Sequence, residues 1–332
     1  MKLSILDLSP ISSNQTAHEA LNESMKLAQA GEMMGYSRYW TAEHHDLPGL
    51  ACPAPEVLLS YIGANTSTIR IGSGALLLPH YKPFKIAELF NMLAVLFPGR
   101  VDLGIGRAPG GSAEVTNALS DNFLKNVGKM PELVRDLLHF LDNDFTEEHL
   151  HTKITASPFP EIPPAPWMLG TSEKSALLAA ENGVTYTFGQ FMSDQDGAAI
   201  IKSYKENFKP RKKGDRPRVI VTVSALCAET PEKAEEIALS SLIWEVQKDK
   251  GEGQLGVPSM ETAKQTELNQ KEKESLYKRK QKMIIGDPKD VKQKLIEWEK
   301  HYQADEMMIN TITYNPKDRL HSYELIADHF IS

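Results

Sequence analysis

Three short segments of the sequence carry side chains that could bind or transform a ligand, and the first of them centres on Arg107. Residues 101–105 alternate as a buried strand does and run into Gly106 just before Arg107. Glycine lets a backbone approach a flat ligand closely, and arginine offers a forked donor suited to phosphate. Ligands bind at the C-terminal strand ends of parallel sheets and barrels. Arg107 is therefore a candidate phosphate ligand, with a tight turn that binds nothing as the alternative.

The second segment is the pair His44 and His45, which follows a short predicted strand at residues 39–43. Neighbouring residues on a strand point to opposite faces, so at most one of the two histidines faces a given cavity. This disfavours a two-histidine metal site, which would need His-x-His on a strand or a spacing of four on a helix. A neutral imidazole here could act as a general base or proton donor near pH 7. Two hydrogen-bonded structural histidines are the alternative.

The third segment, Gly170-Thr171-Ser172, ends another predicted strand and opens a helix that includes Ser175. The free N–H groups of a helix start, together with these hydroxyls, form a ready anion site. Plain N-capping by Thr171 or Ser172 is the alternative. If this helix start lies beside Arg107, two independent groups could hold one phosphate.

Small residues mark a further strand at Ser73-Gly74-Ala75, where a flat ring could lie or where a barrel could simply pack tightly. The pair Gly104 and Gly106 does not continue to the third glycine of a dinucleotide fingerprint. P-loop, G-x-S-x-G and H-E-x-x-H motifs are also missing from the sequence. The predicted phosphate site therefore has to be assembled from separated segments.

The elements that must position these residues alternate between strand and helix about eight times, without an internal repeat. Such alternation predicts a parallel sheet, and eight units fit a closed (β/α)8 TIM barrel better than an open sheet. We therefore expect residues 1–332 to form one domain. The predicted strands are residues 2–8, 39–43, 69–78, 101–105, 167–169, 184–188, 218–227 and 306–313. The predicted helices are residues 17–34, 56–65, 84–97, 129–141, 172–182, 194–208, 231–247, 290–302 and 318–330.

Two segments interrupt this alternation. Residues 146–166 contain five prolines from Pro158 onward and are predicted to form an irregular surface excursion. Residues 248–282 are dominated by Lys, Glu and Gln, with too few apolar side chains for a core face. A solvated helical excursion is favoured for this segment, and a mobile lid over the barrel mouth is the alternative.

Composition restricts the class of partner. The chain has 332 residues, 41% hydrophobic and 24% charged, with a net charge of -7 and interspersed basic residues. Nucleic acid or an anionic membrane would need a concentrated basic face, so neither is the expected partner. No signal peptide is visible, and the two cysteines suggest neither a disulfide framework nor a thiolate metal site. We expect a cytoplasmic protein.

Taken in order, the motifs resemble those of the bacterial luciferase-like flavin monooxygenases over nearly the whole chain. The motifs that carry the resemblance are WTAEHH at 40–45, GSGALLLPH at 72–80, PGRVDLGIGR at 98–107, GDP at 286–288 and DEMM at 305–308. The resemblance implies a (β/α)8 barrel, commonly a homodimer, that uses reduced FMN from a separate NAD(P)H:FMN reductase. It also implies that O2 and the reduced flavin together oxidise a small organic substrate.

The resemblance further implies roles for individual residues. His44 matches the catalytic histidine of the family. Gly74–Ala75 matches the position where the family often has a non-proline cis peptide under the flavin ring. Residues 248–282 fall where the family has a ligand-responsive loop. The remaining positions implied in cofactor binding, mainly around the phosphate, are Arg107, Gly170, Thr171, Ser172 and Ser175.

One position departs from the family pattern. The light-emitting subunit of luciferase has a reactive cysteine just before the matching arginine, and this chain has Gly106 there. We expect this glycine to enlarge the space near the flavin and to disfavour light emission. A deazaflavin-dependent oxidoreductase on the same fold and a non-catalytic flavin-binding protein are the alternative functions, with a metal-dependent barrel hydrolase more distant.

Overall fold

Eight parallel strands close into a barrel in the computed structural model, which describes residues 1–251, 253 and 255–330. The strand near the C-terminus pairs with both the first strand and the preceding barrel strand, so the sheet has no open edge there. The predicted TIM-barrel fold is confirmed. The barrel strands are β1 Leu3–Asp7, β2 Arg38–Thr41, β3 Arg70–Ser73, β5 Val101–Gly106, β6 Ala165–Gly170, β7 Thr185–Gly189, β8 Val219–Cys227 and β10 Glu306–Asn310. Two short strands flank them, β4 Leu76–Leu77 beside β5 and β9 Met283–Gly286 beside the end of β8.

Helices follow the strands, and polar caps start many of them. Thr16 caps the first helix in the predicted capping box with Glu19. Asp196 and Asp287 cap later helices through their carboxylates. The helices are α1 Ala17–Met33, α2 Pro55–Ala64, α3 Pro83–Leu96, α4 Ala113–Leu119, α5 Phe123–Gly128, α6 Met130–Asp142, α7 Glu173–Glu181, α8 Gly197–Glu206, α9 Pro231–Asp249, α10 Met260–Gln265, α11 Gln270–Gln281, α12 Pro288–Tyr302 and α13 Pro316–Phe330.

Three local predictions were wrong. The predicted strand at residues 69–78 stops at Ser73 and resumes as β4, because Gly74 and Ala75 leave the β3 register to line a cavity. The region predicted as a loop before residue 129 contains α4 and α5, started in part by the Ser112 cap. The strand β9 was not predicted, since its four residues are too few to show a pattern. Residues 146–164 are irregular, as expected.

A buried charge cluster fills the N-terminal end of the barrel. Arg38 bonds to Asp102 at 2.7 Å and to Glu306 at 2.8 Å, and Arg70 bonds to Asp102 at 2.6 Å. The two positive and two negative groups balance, which a buried set of charges requires. Function in such barrels concentrates at the opposite, C-terminal end, where this structure has its cavities.

Residues 252 and 254 of the segment 248–282 lie outside the described residues, and the described part contains α10 and α11. Ion pairs and the packing of Leu276 hold α11 against α9. Arg279 contacts Glu245 at 3.2 Å and Asp249 at 2.6 Å, while Lys280 contacts Glu235 at 2.9 Å. Movement of this segment as a lid stays a prediction. In the part of the chain that the structure describes, no helix is long and apolar enough to cross a bilayer. The cytoplasmic location also stays a prediction.

Candidate functional site

A cavity of about 440 Å³ opens at the C-terminal ends of the barrel strands. Its walls are mostly apolar, and polar groups lie at separate points around them. The apolar wall residues are Leu6, Leu8, Leu77, Phe123, Leu124, Val127, Leu169, Phe191 and Met192. An apolar cleft with a few polar groups is the usual form of a small-molecule site.

The structure brings Arg107 and the start of α7 together at this cavity. The guanidinium Nη2 of Arg107 donates to Ser172 Oγ at 3.1 Å, although 65 residues separate the two. Arg107 follows β5, while Gly170 and Thr171 end β6, and all three line the cavity. A planar cation and a helix N-terminus side by side suit an anion.

Ser175 does not lie at the cavity, unlike Gly170 and Thr171. It is buried, and its hydroxyl donates to the Ser172 carbonyl at 2.6 Å and lies 3.2 Å from Tyr186 Oη. The side chain therefore completes the N-terminal cap of α7 and does not line the cavity. Gly170 makes room for it, since a Cβ there would lie 2.2 Å from Ser175 Oγ. Glu173, which would repel an anion, is exposed and accepts a hydrogen bond from Ser203 of α8.

The two histidines have different surroundings, as expected, but both lie in the loop after β2 rather than on a strand. His45 is buried and bonds through Nε2 to Glu43 at 2.8 Å, so it is structural. His44 lines the cavity, and its Nδ1 is buried without a partner among the described residues. Burial, with the positive charge of Lys248 and then His45, lowers the pKa of His44 to about 4. His44 is therefore a neutral imidazole with a free ring nitrogen at pH 7.

Glu43 is a site residue that the sequence reasoning did not assign. It is 3% exposed, and its carboxylate accepts from Leu77 N at 2.8 Å and from Tyr81 Oη at 2.7 Å, in addition to His45. It thereby joins the end of β2 to β4 beside the cavity. The only sequence signal was an acidic residue at the end of an apolar strand, inside the motif already quoted.

Gly74 and Ala75 lie in the cavity wall, and the peptide bond between them is cis, as the resemblance implies. Gly106 also lines the cavity. A Cβ at Gly106 would lie 2.8 Å from Ala75 Cβ and 3.4 Å from Leu77 Cδ2, so a larger residue here would require the Ala75 wall to shift. That this glycine enlarges the space near a flavin stays a prediction. Its missing side chain lets the Gly74–Ala75 segment pack against β5.

A family model described as luciferase-like monooxygenase matches residues 1–303. The chain belongs to this family. The Bacillus subtilis (strain 168) protein YwcH, of uncharacterised function, is 40% identical over 330 residues that cover 99% of each chain. The N-acetyl-S-alkylcysteine monooxygenase of the same strain is 34% identical over 329 residues, covering 99% of this chain and 98% of that one.

Solved structures agree with this membership. Apo-MsnO8 has a TM-score of 0.87 at 31% identity, with 99% of this chain and 98% of that chain covered. Two more distant structures share the fold alone. One is the oxygenating constituent of 3,6-diketocamphane monooxygenase from Pseudomonas putida in complex with FMN, with a TM-score of 0.71, 18% identity, and 99% and 97% covered. The other is an F420-dependent secondary alcohol dehydrogenase, with a TM-score of 0.64, 13% identity, and 98% and 99% covered.

This member of the luciferase-like monooxygenase family has a second cavity, of about 530 Å³, beside the first. The two share four wall residues, Leu8, His44, Phe191 and Met192. His44 therefore lies between a mostly apolar cleft and a second chamber roofed by α9 and α11. Such a pair of adjoining spaces can hold two reactants with one imidazole within reach of both.

Proposed function

We propose that this protein is an FMN-dependent monooxygenase that oxidises a small organic substrate with O2. The reduced FMN comes from a separate NAD(P)H:FMN reductase. The observation that carries the proposal is the 3.1 Å contact between Arg107 and Ser172 at the rim of an apolar cavity that His44 also lines. That arrangement suits a flat ring with an anionic tail, which is the chemistry of FMN.

Each part of the site has a role in this proposal. Arg107 and the N-terminus of α7, with Thr171, bind the phosphate, and Ser172 and Ser175 hold that helix start in place. The Gly74–Ala75 segment supports the ring, and the apolar walls exclude water from it. Bound reduced flavin supplies the electrons that activate O2, because redox chemistry of this kind belongs to the cofactor.

His44 moves a proton in this proposal. Its pKa of about 4 keeps the imidazole neutral at pH 7, with one nitrogen able to donate and the other able to accept. Its Nδ1 is buried and has no partner among the described residues, so no protein group fixes which nitrogen carries the proton. A histidine placed within reach of both spaces is suited to general acid–base work on the substrate.

The names of relatives support the use of a flavin cofactor and of a separate reductase. One relative is named a monooxygenase of an N-acetyl-S-alkylcysteine, and a distant structure is described as an oxygenating constituent bound to FMN. An enzyme described by its oxygenating constituent has a second constituent, and in this proposal that second protein reduces the flavin. The F420-dependent neighbour explains why the deazaflavin alternative needs a direct test.

Cofactor titrations and oxygen uptake test the proposal. The purified protein is titrated with reduced FMN and with reduced F420 under anaerobic conditions, and oxygen uptake is then followed with an FMN reductase and a panel of organic substrates. We expect preferential binding of reduced FMN and an oxygenated product seen by mass spectrometry. Anaerobic hydride transfer from F420 would contradict the proposal, and so would FMN binding without any product-forming substrate in the panel.

We also propose that the protein is a homodimer. The adjacent helices α2 and α3 expose an apolar stripe that includes Val57, Met92 and Leu96. Exposed apolar patches of this kind mark association surfaces.

A further inference from the structure

The second cavity has a charged roof that the proposed function leaves unexplained. Its floor is formed by the C-terminal ends of barrel strands, including Ser224 of β8 and Asn310 of β10. Its roof is formed by one face of α9 and one face of α11. The cavity-lining residues Ser275, Lys278 and Arg279 of α11 and its C-cap residue Lys282 lie at positions i, i+3, i+4 and i+7, so a single helix face is turned toward the space.

Positive charge is in excess around this cavity. Four cationic side chains line it, and only two carboxylates, Asp194 and Glu245, do so. The cations are Lys248, Lys278, Arg279 and Lys282. The whole chain has a net charge of -7, so this local excess is opposite in sign to the average of the molecule.

Three of the four cationic side chains form ion pairs with carboxylates. Lys248 contacts Glu245 at 2.7 Å, Arg279 contacts Glu245 and Asp249, and Lys282 contacts Asp194. Lys278 has no such pair with any residue that the structure describes. Its ammonium is therefore the charge that a ligand in this cavity would neutralise.

The rest of the lining is suited to an apolar body. Leu47, Leu50 and Ile312 line the cavity outside α9 and α11, and Leu242 of α9 adds a fourth apolar side chain. Asn310 is 4% exposed, and its side-chain Oδ1 is buried without a partner among the described residues. A buried amide oxygen without a partner is costly unless a ligand or water bonds to it. The cavity thus presents an apolar wall, one polar anchor and a cationic roof.

We propose that the second cavity selects an organic anion with an apolar body as the substrate, holding the acidic group under Lys278 and directing the apolar part toward His44. This inference rests on the proposed function for the reaction itself. The charge selection, however, belongs to the cavity and can be measured without turnover. A carboxylate is the simplest acidic group of this class.

Octanoate and octanamide make a matched pair of probes, because they share an apolar chain and differ in charge. Binding of each to the full chain is measured by isothermal titration calorimetry at low salt, without FMN and with saturating FMN. We expect octanoate to bind at least about tenfold more tightly than octanamide, which corresponds to about 1.4 kcal/mol. FMN should leave this difference unchanged, since it occupies the other cavity.

The substitution Lys278→Met should weaken octanoate about fivefold and leave octanamide unaffected, the size expected for one partly screened charge. Lys273→Met removes the same charge from the same helix at a position that does not line the cavity, and it should leave both probes unaffected. The inference would be overturned if octanoate and octanamide bound equally well, or if FMN displaced octanoate. It would also be overturned if Lys278→Met and Lys273→Met weakened octanoate binding equally. Failure of FMN binding with the octanoate preference intact would instead contradict the proposed function alone.

Discussion

At the scale of single residues, Arg107 is the side chain on which the cofactor proposal depends most. We expect Arg107→Ala to weaken FMN binding by about 10- to 100-fold, because one charge-assisted contact contributes about 1.5–3 kcal/mol. Quenching of flavin fluorescence on titration measures the affinity. Arg135→Ala, at an exposed position of α6, is the matched control. If Arg107→Ala binds FMN as tightly as the unmodified protein does, the phosphate does not bind at Arg107.

The titration of His44 is a second property of single side chains. Burial and then Lys248 lower its pKa to about 4, so Lys248→Met should raise that pKa toward the ordinary value of 6.5. NMR of the imidazole during a pH titration measures the change, with Lys273→Met as the control. In the unfolded chain His44 takes up its proton at the ordinary pKa of 6.5, and in the folded protein only near pH 4. The free energy of unfolding should therefore decrease as the pH is lowered from 6.5 to about 4, by up to about 3 kcal/mol. A His44 pKa near 6.5 in the unmodified protein would contradict this account.

At the scale of elements, the contact between β3 and β5 positions both sides of the cavity that we propose for the cofactor. Ser73 Oγ donates to the Gly104 carbonyl at 2.9 Å and accepts from Gly104 N at 3.0 Å. Beyond this contact, β3 leads to the Gly74–Ala75 segment and β5 leads to Arg107. Any change that separates these strands should therefore displace the proposed ring support and the proposed phosphate ligand together.

Gly104→Ala tests how tightly these two strands must approach. A Cβ at this position would lie 2.0 Å from the Ser73 carbonyl oxygen, which is backbone and cannot rotate away. We expect the free energy of unfolding to fall by about 2–4 kcal/mol, measured by urea denaturation. Gly128→Ala, where no atom lies within 4 Å, should leave stability unchanged or slightly higher. Equal stability of the two variants would show that the strands can separate without cost.

At the scale of the whole molecule, the exposed stripe on α2 and α3 predicts the oligomeric state. Val57 is 66% exposed, and Met92 and Leu96 are each 53% exposed. We expect a dimer by size-exclusion chromatography with light scattering, and a monomer for the double variant Val57→Lys, Met92→Lys. Replacing the exposed Leu150, which lies outside α2 and α3, with lysine is the control and should leave the dimer intact. A monomeric unmodified protein would contradict the homodimer proposal.

Local sequence patterns were sufficient to predict the longer helices. The Thr16–Glu19 capping box predicted the start of α1, because that start depends on short-range hydrogen bonds. Apolar spacing predicted α3 to within a few residues. Short elements such as α4 and β9 were missed, since a few residues cannot show a period. The split of β3 from β4 also escaped prediction, because the pairing partner decides where a strand ends.

The sequence by itself determined the alternation of strands and helices, the family, and the presence of His44 and Arg107 at strand ends. Only the tertiary structure decided that Ser175 completes the capping box of Ser172, that Glu43 joins β2 to β4 beside the cavity, and that Gly106 lies against Ala75. Only the tertiary structure placed Lys278 over a second cavity beside His44. The physical reason is that the alternation of elements follows from local apolar spacing and turn residues, whereas the direction, burial and partners of a side chain depend on residues far away in the chain.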